Sequence, residues 1–329
     1  MLTAYDLWVS NLERDPSEVI ADTRSDSRIL EPRDVPLGGP RAMDVRRTLP
    51  QRQRSLIGPW CFVDHYGPDP VSGPGAMTVP PHPHTGLQTV SWLFQGEIEH
   101  RDSTGVHAMV RPGELNLMTA GRGIQHSEVS TAATTVLHGA QLWVALPDAT
   151  RGVAPFFEHF EPVPVAFGEA TVRVFLGSLV GSTSTATAFS PILGAQLDLP
   201  PLATIDLPVD AAFEHGVLLD QGTLAVDGEE LPISHLAFRE LGQSSITLTA
   251  GASGARMLLI GGAPFGESIV MWWNFIGRSH DDIVAYRDEW QADVIEGADA
   301  AGPFGAIPEY PGRALPAPGL PGVRLKPRG

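Results

Sequence analysis

The chain has 329 residues, 43% hydrophobic and only 18% charged, which excludes a disordered polyanion. Lys and Arg number 22 against 38 Asp and Glu, and the formal net charge of −16 disfavours binding to nucleic acid phosphates or to an anionic membrane surface. The single cysteine, Cys61, excludes an intramolecular disulfide and any thiolate zinc cluster.

The length is roughly twice that of a usual domain of about 100–200 residues, so two domains or one duplicated domain is expected. Gly (35) and Pro (30) together make up about a fifth of the chain, a load that favours short strands and turns over long helices. The opening residues, Met1 to Leu7, lack a basic stretch followed by an apolar one, and no apolar run of about 18 residues occurs. A soluble, cytoplasmic protein is the expectation.

Residues 1–40 are polar, with a short helix predicted around Ser17–Ala21. Strand signals begin at Arg46–Leu49 and Trp60–Asp64, and from Leu87 to Leu117 short β-rich runs alternate with turns such as Asp102-Ser103-Thr104-Gly105. Val136–Leu146 is a further apolar run. Strands about every ten residues, with no helices between them, predict a sandwich or barrel rather than βαβ units. The second half repeats the rhythm through Thr171–Leu176, Ala195–Leu199, His215–Leu219, Gly222–Val226, His235–Phe238, Ser245–Leu248 and Arg256–Ile260. Leu93-Phe94-Gln95-Gly96 is echoed by Leu219-Asp220-Gln221-Gly222, which points to a duplicated β-barrel. One helix is predicted, capped by Ser279 with Asp282 three residues later and running to about Gln291. Beyond Ala300 the Pro/Gly-rich tail builds no regular structure; it drapes over a barrel or is loose. The expected division is 1–150, 151–275 and 276–329: a first barrel with an N-terminal extension, a second barrel, then helix and tail.

Two short motifs carry chemistry. His82-Pro83-His84 sets two imidazoles at i and i+2, which share one face of an extended strand. His126-Ser127-Glu128 repeats the arrangement with one imidazole and one carboxylate. With both faces turned into one barrel, three nitrogens and one oxygen meet at a point. That set suits Fe, Mn, Ni, Cu or Zn, and on an octahedral ion it leaves two positions open. His65, His100 and His107 lie beside turns and are read as solvated or partnered to carboxylates. His138 is read as a core histidine or a donor behind a ligand, and His159, His215, His235 and His280 have no partner at strand spacing.

The run Pro81-His82-Pro83-His84-Thr85-Gly86-Leu87-Gln88-Thr89-Val90 resembles the first metal motif of the pirin family within the cupin superfamily. Thr119-Ala120-Gly121-Arg122-Gly123-Ile124-Gln125-His126-Ser127-Glu128 resembles its second. Arg46 to Pro50, Gly58-Pro59, Asp64 to Pro68 and Leu137 to Val144 extend the likeness, which covers residues 45–150 strongly and the second half more loosely. The resemblance implies an all-β bicupin, two antiparallel jelly-roll barrels with a short C-terminal helix. It implies one divalent transition metal ion, foremost Fe(II) with Ni, Cu, Mn and Zn as alternatives, held by His82, His84, His126 and Glu128. Many pirins have Glu where Gln88 stands; in the pirin pattern the carboxylate comes from Glu128, so Gln88 leaves the metal intact. Carrying the Gln-Gly match through the second half sets Pro208, Asp210, Ala252 and Gly254 at the places of the four ligands. One metal per chain is therefore expected.

The resemblance further implies a dioxygenase of the quercetin 2,3-dioxygenase type. Its partners would be a small aromatic, flavonol-like substrate and dioxygen, and Glu128 would be the catalytic base. The alternative is a non-catalytic, metal-binding, redox-sensing regulator that binds a protein partner. A cupin-type sugar isomerase ranks last, since it needs Lys or Arg near the ligands and only Arg101, Arg111 and Arg122 are close in sequence.

Overall fold

The computed structural model describes residues 29–36, 43–71 and 77–329. The expected helix at Ser17–Ala21 lies outside the described residues. The chain forms two antiparallel β-barrels, as the strand rhythm predicts.

The first barrel closes a seven-stranded sheet against a four-stranded one. The larger sheet runs Phe156–Phe160, Leu115–Thr119, Leu87–Gln95, Val136–Ala145, Trp60–Pro70, Asp44–Leu49 and Arg33–Pro36. The smaller runs Thr78–His84, Ile124–Ser130, Ile98–Asp102 and His107–Val110, and it carries the His-rich motifs. The second barrel is a nine-stranded sheet built around Ser245–Gly262, which pairs with Ile192–Leu199, Thr204–Pro208 and Glu214–Val226. Two segments cross the expected division. Phe156–Phe160 extends the first barrel past residue 150, and Ile29–Leu30 pairs with Leu236-Ala237 of the second.

The central strands Leu87–Gln95, Val136–Ala145 and Trp60–Pro70 are buried along most of their length, whereas Thr204–Pro208 in the second sheet alternates buried and exposed residues. In Leu87–Gln95, Val90 and Trp92 belong to a core shared by the barrels, together with Trp60, Leu142, Phe175, Leu218 and Leu258. The ring of Trp92 lies 4.6 Å from that of Phe175, and its Nε1 donates to Gln196 Oε1 at 2.9 Å. Trp60 Nε1 donates across the same seam to the Leu193 carbonyl at 3.0 Å. The second barrel is filled by its own cluster, including Val172, Leu197, Val217 and Met257.

The Gln-Gly echo has a structural cause. Gly96 and Gly222 both bend at positive φ, 91° and 87°. A Cβ there would stand 2.6 Å from the Val136 carbonyl oxygen and 2.1 Å from that of Gly254, so each bend requires glycine.

The predicted helix spans His280–Trp290. The Ser279 hydroxyl accepts from the Asp282 amide at 3.1 Å, and the Asp282 carboxylate accepts from the Ser279 amide at 3.2 Å. The tail drapes rather than hangs loose. Phe304, Ala317 and Leu325 are buried against Trp272, Phe275, Ile283 and Trp290. Its backbone also ties to the small sheet of the first barrel: the Leu315 amide donates to the Pro81 carbonyl at 2.8 Å, and Gln125 Nε2 donates to the Gly305 carbonyl at 2.6 Å.

Candidate metal centre

Thr78–His84 and Ile124–Ser130 are antiparallel neighbours, with His82 opposite His126 and His84 opposite Ile124. The two-residue period puts His82 and His84 on one face, and the pairing brings His126 beside them. Ring centroids are 5.0 Å apart for His82–His84, 4.4 Å for His82–His126 and 4.9 Å for His84–His126. One nitrogen from each lies within 4.8 Å of the others. His84 Nε2 and His126 Nε2 approach to 3.1 Å. Two cis bonds of about 2.0–2.1 Å from imidazole nitrogens to one ion place the nitrogens about 3 Å apart, so this spacing fits a shared cation.

Burial keeps the rings neutral, the state in which imidazole ligates. Exposure is 7% for His82 and 1% each for His84 and His126. Burial pushes His82 down to about 4, opposed by its bond to the Pro80 carbonyl. His84 and His126 are held well below the usual range by burial and by their neighbouring histidines. His82 Nδ1 donates to the Pro80 carbonyl at 2.9 Å, which leaves the Nε2 lone pair free for a ligand bond.

Glu128 stands apart from this trio. It belongs to a second group, with His100 and His126, whose ligand atoms also lie within 4.8 Å of one another. The strand pairing shifts register between His126 and Glu128, so that Glu128 faces Val79 rather than Pro80. Ser91 Oγ donates to Glu128 Oε1 at 3.3 Å. Burial raises the Glu128 carboxyl above its ordinary value, with His100 and the Ser91 hydroxyl opposing. Gln88 points away from the cluster: its Nε2 donates to Thr119 Oγ1 at 2.9 Å and to the Thr187 carbonyl at 3.0 Å.

The trio is braced from behind. The edge of Trp143 meets His84 at 5.1 Å, Phe62 stacks on Trp143 at 4.1 Å, and the Arg47 guanidinium lies 4.2 Å over Phe62. Arg47 is itself clamped by Asp64 through two bonds of 2.6 and 2.7 Å. His100, read from sequence as solvated or partnered to a carboxylate beside a turn, is 3% exposed and has the carboxylate partner: its Nε2 lies 3.1 Å from Asp102 Oδ2. His107, by contrast, pairs with Glu99 near the surface.

A third group went unread in the sequence. His65 Nε2 and His138 Nε2 lie 2.7 and 2.6 Å from Asp220 Oδ1 at the seam between the barrels. Arg256 holds the other Asp220 oxygen. Burial lowers His65 while Asp220 opposes it. Burial alone would raise Asp220, but the His138 and His65 contacts outweigh it and hold the carboxyl far below the carboxylate range. Hydrogen bonds from His65 and Arg256, with the His138 ring packed beside them, make this a polar tie between barrels. Among the described residues, Asp220 is the second barrel's only contribution to any group able to hold a metal.

Two family models match the chain: Pirin over residues 42–144 and the Pirin C-terminal cupin domain over residues 194–295. A Pseudomonas aeruginosa protein named "Putative quercetin 2,3-dioxygenase PA1205" is 42% identical over 290 residues, covering 88% of this chain and 89% of its own. A pirin-like protein of Caulobacter vibrioides is 34% identical, covering 81% and 94%. The crystal structure of quercetin 2,3-dioxygenase from Acinetobacter baumannii aligns with a TM-score of 0.84 at 36% identity, over 91% of this chain and 97% of that one. The bacterial pirin YhhW from Escherichia coli, in complex with nickel(II), shares the fold at a TM-score of 0.56 and 20% identity, over 72% and 99%. The chain belongs to the pirin family, with two cupin domains.

Proposed function

We propose that this chain is a metal-dependent dioxygenase of the quercetin 2,3-dioxygenase type, acting on flavonol-like aromatic substrates. The convergence of three neutral imidazoles on one point carries the reading. His82, His84 and His126 would hold a divalent ion, Fe(II) foremost, with Glu128 as an anionic fourth ligand after a short movement toward the trio. A redox-active ion bound there supplies Lewis acidity and electron exchange with dioxygen. Glu128 would take the proton of the flavonol hydroxyl through an oxygen not bound to the ion, since a carboxylate held by a cation is a poorer base. Phe157, half-buried beside His100, offers an aromatic surface for a flat substrate. The names of the relatives support the substrate class.

One observation favours a second reading, the redox-sensing regulator with a protein partner. The four candidate ligands are 1–8% exposed, which suits a small oxidant better than a tricyclic substrate. Oxygen uptake by the iron-loaded protein separates the two. Consumption with quercetin supports the dioxygenase. An iron-loaded protein that consumes no oxygen with any flavonol removes the dioxygenase reading and leaves the regulator.

A further inference from the structure

His100 sits in Ile98–Asp102, the strand that flanks Ile124–Ser130 on the side opposite His82 and His84. Its ring packs at 4.8 Å against Phe157. Nε2 lies 3.1 Å from Asp102 Oδ2 and Nδ1 lies 3.4 Å from His126 Nδ1. Asp102 is fixed in turn, because its Oδ1 accepts from the Thr104 amide at 2.8 Å and the Thr104 hydroxyl at 2.6 Å.

With His100 neutral, these contacts define where the protons lie. A carboxylate only accepts, so His100 Nε2 carries the hydrogen that points to Asp102. In the neutral ring His100 Nδ1 is then a bare acceptor. As a hydrogen bond between neutral rings, the 3.4 Å contact then requires that His126 Nδ1 carry a hydrogen and donate it. His126 Nε2 is thereby left with its lone pair free, facing His84 Nε2. With the protons reversed, His126 would direct an N–H at the place where an ion must sit. We propose that His100 and Asp102 are positioning residues that select the tautomer and ring orientation of His126 and so prepare the metal centre. The inference rests on the metal reading above. Partners of this kind behind a ligand are worth about 10–100-fold in metal affinity.

The test uses the full chain in two measurements. In chelator-treated protein labelled with 15N-histidine, long-range 1H–15N correlation reads the His126 tautomer without any ion. Nδ1–H supports the proposal, and Nε2–H overturns it. Zinc affinity by chelator competition then compares the parent with His100→Phe, which keeps a ring against Phe157, and His100→Asn, which restores a side-chain carbonyl acceptor. A roughly 10–100-fold loss in His100→Phe with partial recovery in His100→Asn is expected. Equal affinity in all three overturns the proposal. If the parent binds no zinc, the metal reading falls and the tautomer alone decides this one. It also decides should His100→Phe fail to fold.

Discussion

Asp64→Asn should cost far more than a one-atom change suggests. Asp64 is 0% exposed and Arg47 is 7% exposed. The pair is bidentate, and it supports Phe62, Trp143 and His84 in succession. The variant leaves the guanidinium buried without a counter-charge, a class of change that destabilises by about 3–5 kcal/mol. At about 2–4 °C per kcal/mol for a domain of this size, the first barrel should melt about 6–20 °C lower. The double variant Arg47→Met/Asp64→Leu removes both charges and should recover most of the loss, because an apolar replacement of a buried pair is often neutral. Urea unfolding and differential scanning calorimetry of parent, single and double variants measure this. A single variant within about 1 kcal/mol of the parent, or a double variant worse than the single, would refute the reasoning.

Other consequences are as specific. Glu128→Gln should retain part of the metal yet lose about 10²–10⁴-fold in oxygen uptake with quercetin, the usual weight of a positioned base; uptake at the parent rate would sink that role. His215 is fully buried, neither ring nitrogen has a partner among the described residues, and burial lowers it from 6.5 to about 4. The unfolded chain takes up that proton first, so stability falls as pH drops from about 6.5 to about 4, by about 3 kcal/mol from this group. His215→Leu should flatten the acid side of a pH–stability curve, and an unchanged slope would exclude the assignment. Phe304→Ala opens a cavity between Phe275 and Trp290 and should cost about 3–5 kcal/mol, read as lost hydrogen-exchange protection along the tail.

What the sequence revealed of the centre follows from the range of each rule. Face-sharing at i and i+2 is local, so His82 and His84 could be read as a pair from spacing alone. The helix cap is local too, and Ser279 and Asp282 were legible for that reason. Glu128 obeys the same period, but the register shift after His126 breaks it, and a bulge leaves no mark in the residues themselves. His100 reaches His126 only because Ile98–Asp102 pairs with Ile124–Ser130, a contact across 26 residues that no window contains. Its carboxylate partner, two positions away, was within reach of the sequence; its burial was not. The tie from His65 and His138 to Asp220 depends on how two barrels dock, and it lay beyond any periodicity argument.

Metal content per chain bears most directly on the account. The parent, loaded with iron(II) without oxygen and desalted, should hold one ion per chain by elemental analysis. His82→Ala and His126→Ala should each fall close to zero while keeping the parent β-rich circular dichroism, and His215→Ala, in the second barrel, should keep its ion. A folded parent that holds no transition ion, or equal loss in all three variants, would contradict the claim that the three imidazoles form the metal centre.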